Sequence, residues 1–366
     1  MIDVIVVGAG IAGASLAWRL AATRKVLVLE REAQPGYHST GRSAAMFMES
    51  YGPPGVRALT RASRSFYEQP PLGFTDVPLL APRGVLYLAT HEQADRMQAL
   101  HAELAPGCAG LVKLDAAQAL QRVPCLRPEV VHGALYDPAG EDIDVDALHQ
   151  GFLRGLRQRG GEVRCGQSVV AATHDGAAWT VHTQQGESLT APVLVNAAGA
   201  WADALAKLAG VPPVGLQPRR RSAFTFRPPE SIDVHDWPAV VGVDENYYFK
   251  PDAGLLLGSP ANADPVDPHD VLPEELDIAL GIHQIEAVTT LQIRRPVATW
   301  AGLRSFVADG ELVIGFEPGK AGFFWLAAQG GYGIQTAAGA SEMAAALIAG
   351  SAVPEAGVFS PGRLRE

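Results

Sequence analysis

The sequence predicts an α/β protein, and three observations predict it. A β-branched run opens the chain and passes through closely spaced glycines into a run of helix formers. Short strand-like and helix-like runs alternate through the middle, and a second strand–glycine–helix unit lies near the C-terminus. The 366 residues suit two packed domains, and 48% hydrophobic against 19% charged residues can bury a sizeable core. The formal net charge of −10 argues against nucleic acid as a partner, because phosphate binding needs an organised basic surface. The densest basic cluster, Arg219, Arg220 and Arg221, is too short for that role but could clamp a small anion.

Cys108, Cys125 and Cys165 lie far apart without CxxC spacing, so neither a disulfide framework nor a metal site is expected. A reduced, cytoplasmic setting follows. The chain opens on a strand without a signal-like region, and no apolar run reaches the roughly 18 to 20 residues of a spanning helix.

Taken in order, residues 2–7 read as a strand buried on both faces. Gly8, Gly10 and Gly13 follow, with Ile11 and Ala12 between them, and residues 14–22 favour helix. A second apolar run, Val26–Leu29, ends at Glu30, about 20 residues beyond the glycines. This is the strand–turn–helix–strand fingerprint of a Rossmann-like dinucleotide site in its proper context. Gly8 allows the tight turn, Gly10 lets backbone approach a pyrophosphate, and Gly13 lets helix pack on strand. The helix N-terminus offers N–H groups to phosphate, and Glu30 can accept from a ribose hydroxyl.

Downstream segments indicate which dinucleotide. Arg31 and a small-residue loop with Ser39, Thr40, Arg42, Ser43 and Ala44 can wrap a long cofactor and supply hydroxyl and guanidinium donors. Residues 193–201 read as a buried strand running into Ala198, Gly199 and Trp201, where small side chains permit close backbone approach. Residues 323–328 read as a strand, followed by Gly330, Gly331, Tyr332, Gly333 and Ile334, then a helix over 336–348. That helix N-terminus would face a group gaining negative charge, as a flavin does on reduction. FAD is therefore the expected cofactor, held non-covalently, with His38 the one position that could attach it.

Together these segments resemble the D-amino acid oxidase family of FAD oxidoreductases, over nearly the whole chain. Within that family the runs at 30–45, 300–306 and 327–336 look most similar to bacterial D-arginine dehydrogenases. The resemblance implies an FAD domain assembled from 1–80, 141–215 and 300–366. A substrate domain on a mixed β-sheet would come from 81–140 and 216–299. Strand-like runs at 85–88, 223–226 and 240–243, and a hairpin over 247–257, agree locally. Gly302 would border the cofactor.

The resemblance also implies that Arg304 and Arg221 bind a substrate carboxylate, for which a guanidinium fork is the best clamp. Tyr51 and Tyr248 would donate hydroxyls, and Gly331 a backbone carbonyl to the amine. The implied reaction is oxidative deamination of a D-amino acid, with O2, a quinone or a carrier as electron acceptor. Two positions depart from the arginine-selective pattern: Val85 stands where Glu is expected, and Met46 where His is. A buried guanidinium without a carboxylate partner is costly, so neutral, apolar D-amino acids are expected over D-arginine. Oxidation of N-substituted amino acids or of 2-hydroxy acids, and a non-catalytic flavoprotein, stay open as alternatives.

Overall fold

In the computed structural model, which describes residues 1–108 and 110–365, two sheets carry the architecture. The first has six strands, in the order Val313–Phe316, Phe323–Ala327, Val193–Asn196, Val4–Val7, Val26–Leu29 and Glu162–Arg164. All pairs are parallel except the first, where Val313 meets Ala327 antiparallel. The central strands are short and almost wholly apolar because both of their faces are covered. Helices Ile11–Leu20, Pro54–Glu68, Val145–Gln158 and Gly333–Ile348 cover one face. A three-stranded meander (Val169–His174, Trp179–Thr183, Ser188–Ala191) and helix Ala202–Leu208 cover the other.

The first helix begins at Ile11, directly after Gly10, rather than at residue 14. Gly13 therefore lies inside it, where a Cβ would stand 1.9 Å from the Gly8 carbonyl oxygen. The glycine permits the helix to seat on the strand–turn junction. The C-terminal helix likewise starts early, at Gly333.

The second sheet has nine strands and is mixed. Val85–Thr90 runs parallel to Ala239–Gly242 and antiparallel to Val131–Asp137. The hairpin Tyr248–Asp252 with Leu255–Ser259 turns through Ala253 and Gly254, both at positive φ. Gln217–Phe226 and Ala298–Phe306 pair antiparallel along nine residues. Two sequence expectations are corrected here. A boundary at 300 falls inside this strand, which stays in the large sheet to Phe306. The strand expected at 223–226 starts at Gln217, so Arg219, Arg220 and Arg221 lie within it and alternate across its faces. A polar triplet hid the strand's first half from a reading of apolar runs.

A small sheet of Met46–Phe47, Glu141–Ile143 and Leu80–Pro82 bridges the two large ones. Among the described residues, no helix is long and apolar enough to cross a membrane.

Candidate active site

A long groove runs along the C-terminal ends of the central parallel strands, where open α/β sheets offer their ligand crevice. Gly8 adopts φ +105°, and a Cβ there would meet the Ala197 carbonyl oxygen at 2.3 Å. Glu30 holds the turn: its carboxylate accepts the Ala9 N–H at 2.8 Å and the Glu32 N–H at 3.0 Å. Thr40 Oγ1 accepts the Ile11 N–H at 3.0 Å, reaching from the loop to the helix N-terminus. At this end Arg31 stacks 3.9 Å over the Trp201 ring, and Ala198 and Gly199 form the floor. His38 belongs to the same end, its Nε2 2.9 Å from Glu32.

Towards the other end the groove is lined by Gly10, Ile11, Ala12, Ser43, Ala44, Gly302, Gly330, Gly331, Gly333 and Ile334. Two expected residues stand apart from the lining. Gly13 is inside the helix, and Tyr332 packs edge-on against Tyr51 with ring centres 5.0 Å apart. The loop's donors are also not free as expected. Ser39 Oγ donates to the Leu303 carbonyl at 2.6 Å. Arg42 donates to the Val271 and Ala301 carbonyls at 3.0 and 3.1 Å and pairs with Asp270. Their acceptors come from chain more than 220 residues away, so the bracing was invisible locally.

The groove suits FAD. Buried Gln167 Oε1 and Gln329 Oε1, in the two halves of the groove, have no hydrogen-bond partner among the described residues and can accept from N–H or O–H groups. Helices Ile11–Leu20 and Gly333–Ile348 carry no acidic residue in their first turns, leaving their positive ends open to phosphate and to a charged ring.

A second cavity opens from the groove and shares Ser43, Ala44, Arg221, Tyr248, Arg304 and Gly331 with it. Arg304 and Arg221 project into it from neighbouring strands, with Arg221 opposite Gly302 in the register. Arg304 Nη1 donates to the Tyr51 hydroxyl at 3.1 Å. Its guanidinium lies on Gly331, where a Cβ would be 2.6 Å from Cζ, so only glycine leaves it that position. Arg221 Nε donates to the Asn262 carbonyl at 2.6 Å. Arg220, on the opposite face, pairs with Asp277 at 3.0 Å and Asp264 at 3.5 Å, and with Glu274.

Neither Arg304 nor Arg221 has a carboxylate partner among the described residues. Burial, followed by repulsion from Arg304, lowers the Arg221 pKa to about 10. Burial opposes charge on Arg304 too, but the Tyr51 and Tyr248 oxygens outweigh it and hold its pKa above the ordinary value.

Met46 lines this cavity, whereas Val85 does not; it is fully buried beneath the wall. Tyr87, two residues on and therefore on the same strand face, reaches the cavity instead. Nor is the lining as apolar as expected. Glu245 joins it from an exposed turn at φ +52°, and buried Lys250 contributes while paired with Asp142 at 2.7 Å. Tyr87, Met48 and Gln335 were also missed, for no local pattern marks which face of a strand or turn meets a cavity.

Fold and site together define a dinucleotide-binding oxidoreductase fold whose groove opens at one end into a cavity lined by Arg221 and Arg304. The chain belongs to the family described as DAO, FAD dependent oxidoreductase, which it matches over residues 3–347; its cofactor is FAD. It is 26% identical to bovine FAD-dependent oxidoreductase domain-containing protein 1, over 94% of this chain and 81% of that protein. It is also 26% identical to L-2-hydroxyglutarate dehydrogenase of Salmonella houtenae, over 58% of this chain and only 51% of that protein. In fold it superposes on glycine oxidase from Geobacillus kaustophilus with TM-score 0.86, at 22% identity and 98% coverage of both chains.

Proposed function

We propose that this chain oxidises D-amino acids at the α-carbon, giving an imine that water converts to a 2-keto acid and ammonia. The observation carrying this reading is the pair of guanidinium groups lining the cavity, Arg304 and Arg221, neither paired with a carboxylate among the described residues. Two such charges in one cavity call for an anionic ligand. A substrate carboxylate forked by Arg304 would fix the α-carbon relative to the groove end at Gly302 and Gly330. Tyr51 and Tyr248 would hold the carboxylate from its sides, and the Gly331 carbonyl would accept from the amine. FAD, when bound, supplies the acceptor for the hydride leaving the α-carbon; the amine proton goes to water.

Met46, Met48, Ala239 and Val241 are among the residues lining the cavity, and Lys250 lines it too, which supports neutral, apolar side chains over a guanidinium. Glu245, the carboxylate that lines the cavity, is solvent-exposed, so its attraction for a cationic side chain is weakened by water. The D-handedness rests on the family resemblance. Likeness to a 2-hydroxyglutarate dehydrogenase favours a second reading, a 2-hydroxy acid held by the same clamp.

Anaerobic mixing of the purified yellow protein with D- and L-amino acids and 2-hydroxy acids tests both. Bleaching of the flavin band by D-Met, D-Leu or D-Phe, but not by D-Arg or the L-forms, is the expected outcome. D-Arg surpassing those three in kcat/KM would sink the side-chain argument. Bleaching by hydroxy acids alone would replace the amine reading.

A further inference from the structure

The segment carrying Tyr51 runs between two anchors. Buried Gln335, in the first turn of the C-terminal helix, holds Met48 on both sides. Its Oε1 accepts the Met48 N–H at 3.4 Å, while Nε2 reaches the Met48 carbonyl at 3.3 Å and Thr60 Oγ1 at 2.9 Å. Two residues on, Ser50 Oγ lies 2.9 Å from Asp137 Oδ2 and 2.9 Å from the Tyr87 hydroxyl.

Asp137 ends the strand Val131–Asp137 and is 2% exposed. Its other oxygen accepts the Ala139 N–H at 3.0 Å, and no cation pairs with it among the described residues. A buried carboxylate without a counter-ion is costly, so its retention calls for a reason. The hydrogen-bond inventory supplies one. A carboxylate only accepts, so the single Ser50 proton goes to Asp137, and the Tyr87 hydroxyl must donate to Ser50. The charged end strengthens the Ser50 bond and gives the chain one direction.

This chain ties the cavity wall at Tyr87 and the strand ending at Asp137 to the residue before Tyr51. The Tyr51 hydroxyl accepts from Arg304 Nη1 at 3.1 Å. On its other side Gly52, at φ +95°, leaves no slack: a Cβ there would meet Val56 at 2.8 Å and Tyr332 at 3.1 Å.

We infer that Asp137, acting through Ser50, is a positioning residue that holds Tyr51 against Arg304 and so sets the carboxylate affinity of the cavity. This rests on the carboxylate-clamp reading above. The test uses holoenzyme, with propionate as a carboxylate probe by titration calorimetry and steady-state kinetics on the best substrate. Ser50→Ala and Asp137→Asn are expected to raise the propionate Kd and the substrate KM roughly 10-fold, the loss of about one hydrogen bond. The kcat should stay within about twofold, and Ser50→Thr, which keeps the hydroxyl, should bind nearly as the unmodified protein does.

Wild-type propionate affinity in Ser50→Ala would overturn the inference, as would a fall in kcat with Kd unchanged. Failure of Ser50→Thr to restore affinity would do the same by pointing to a purely steric role. Should Asp137→Asn not fold, the Ser50 pair decides alone. A wild-type protein that binds no propionate would defeat the clamp reading itself, whereas unaltered variants beside a binding wild type defeat only this inference.

Discussion

Replacing Arg221 with Met removes one of the two unanswered charges while keeping an unbranched apolar stem. At neutral pH the charged Arg221 opposes folding, because burial beside Arg304 lowers its pKa from the ordinary arginine value to about 10. At about 1.4 kcal/mol per unit, that shift corresponds to roughly 3 kcal/mol, which water in the cavity cuts to about half. Loss of the bond to the Asn262 carbonyl offsets about 1 kcal/mol of the relief. The expected result is a fold as stable as the parent, or stabler by up to about 1 kcal/mol. Carboxylate binding should collapse, because truncating a charge-paired partner costs about 2–5 kcal/mol, a loss on the order of 30- to 5,000-fold in Kd. Urea unfolding of the holoenzyme and propionate titration measure the two quantities separately. Destabilisation beyond about 2 kcal/mol with carboxylate affinity intact would refute the reasoning and make Arg221 a structural residue.

Three further predictions follow the same geometry. Gly331→Ala should push the Arg304 guanidinium aside, since the new Cβ would lie 2.6 Å from Cζ. The substrate KM should rise roughly 10-fold with the melting temperature unchanged, because the group displaced is the tip of a flexible side chain. Carboxylate affinity should decline as pH rises through about 10, where Arg221 loses its proton, and a flat propionate Kd from pH 8 to 11 would contradict this. Linked stability runs the other way: a depressed folded-state pKa means stability lost at neutral pH returns as pH rises above about 10, towards the ordinary arginine value. Gly8→Ala should yield protein without yellow colour or no folded protein at all. Its φ of +105° and a backbone oxygen 2.3 Å from the new Cβ leave no relaxation short of moving the turn, and normal flavin content in that variant would count against the assignment.

The cofactor half was legible because its physics is local. Gly13 is required by a close approach to Gly8 within a single strand–turn–helix, Gly8 takes the positive φ of that turn, and Glu30 closes the same turn from the next strand. A sequence carries such constraints at fixed spacing. The substrate half is different. Arg221 looked like part of a basic run preceding a strand, and only strand pairing puts it beside Arg304 while turning Arg220 to the far side. Val85 and Tyr87 share one strand face, yet only the second meets the cavity. Arg42 and Ser39 were read as cofactor donors, but partners more than 220 residues away take up their hydrogen bonds.

By itself, then, the sequence determined the α/β class, the dinucleotide turn and FAD as the cofactor. Tertiary structure alone decided which charges go unanswered, which side chains meet the cavity, and that Asp137, Ser50 and Tyr87 form one chain behind Tyr51. The physical reason is range. Backbone conformation is set by neighbours a few residues apart, whereas burial, counter-ions and hydrogen-bond partners are set by segments that only folding brings together.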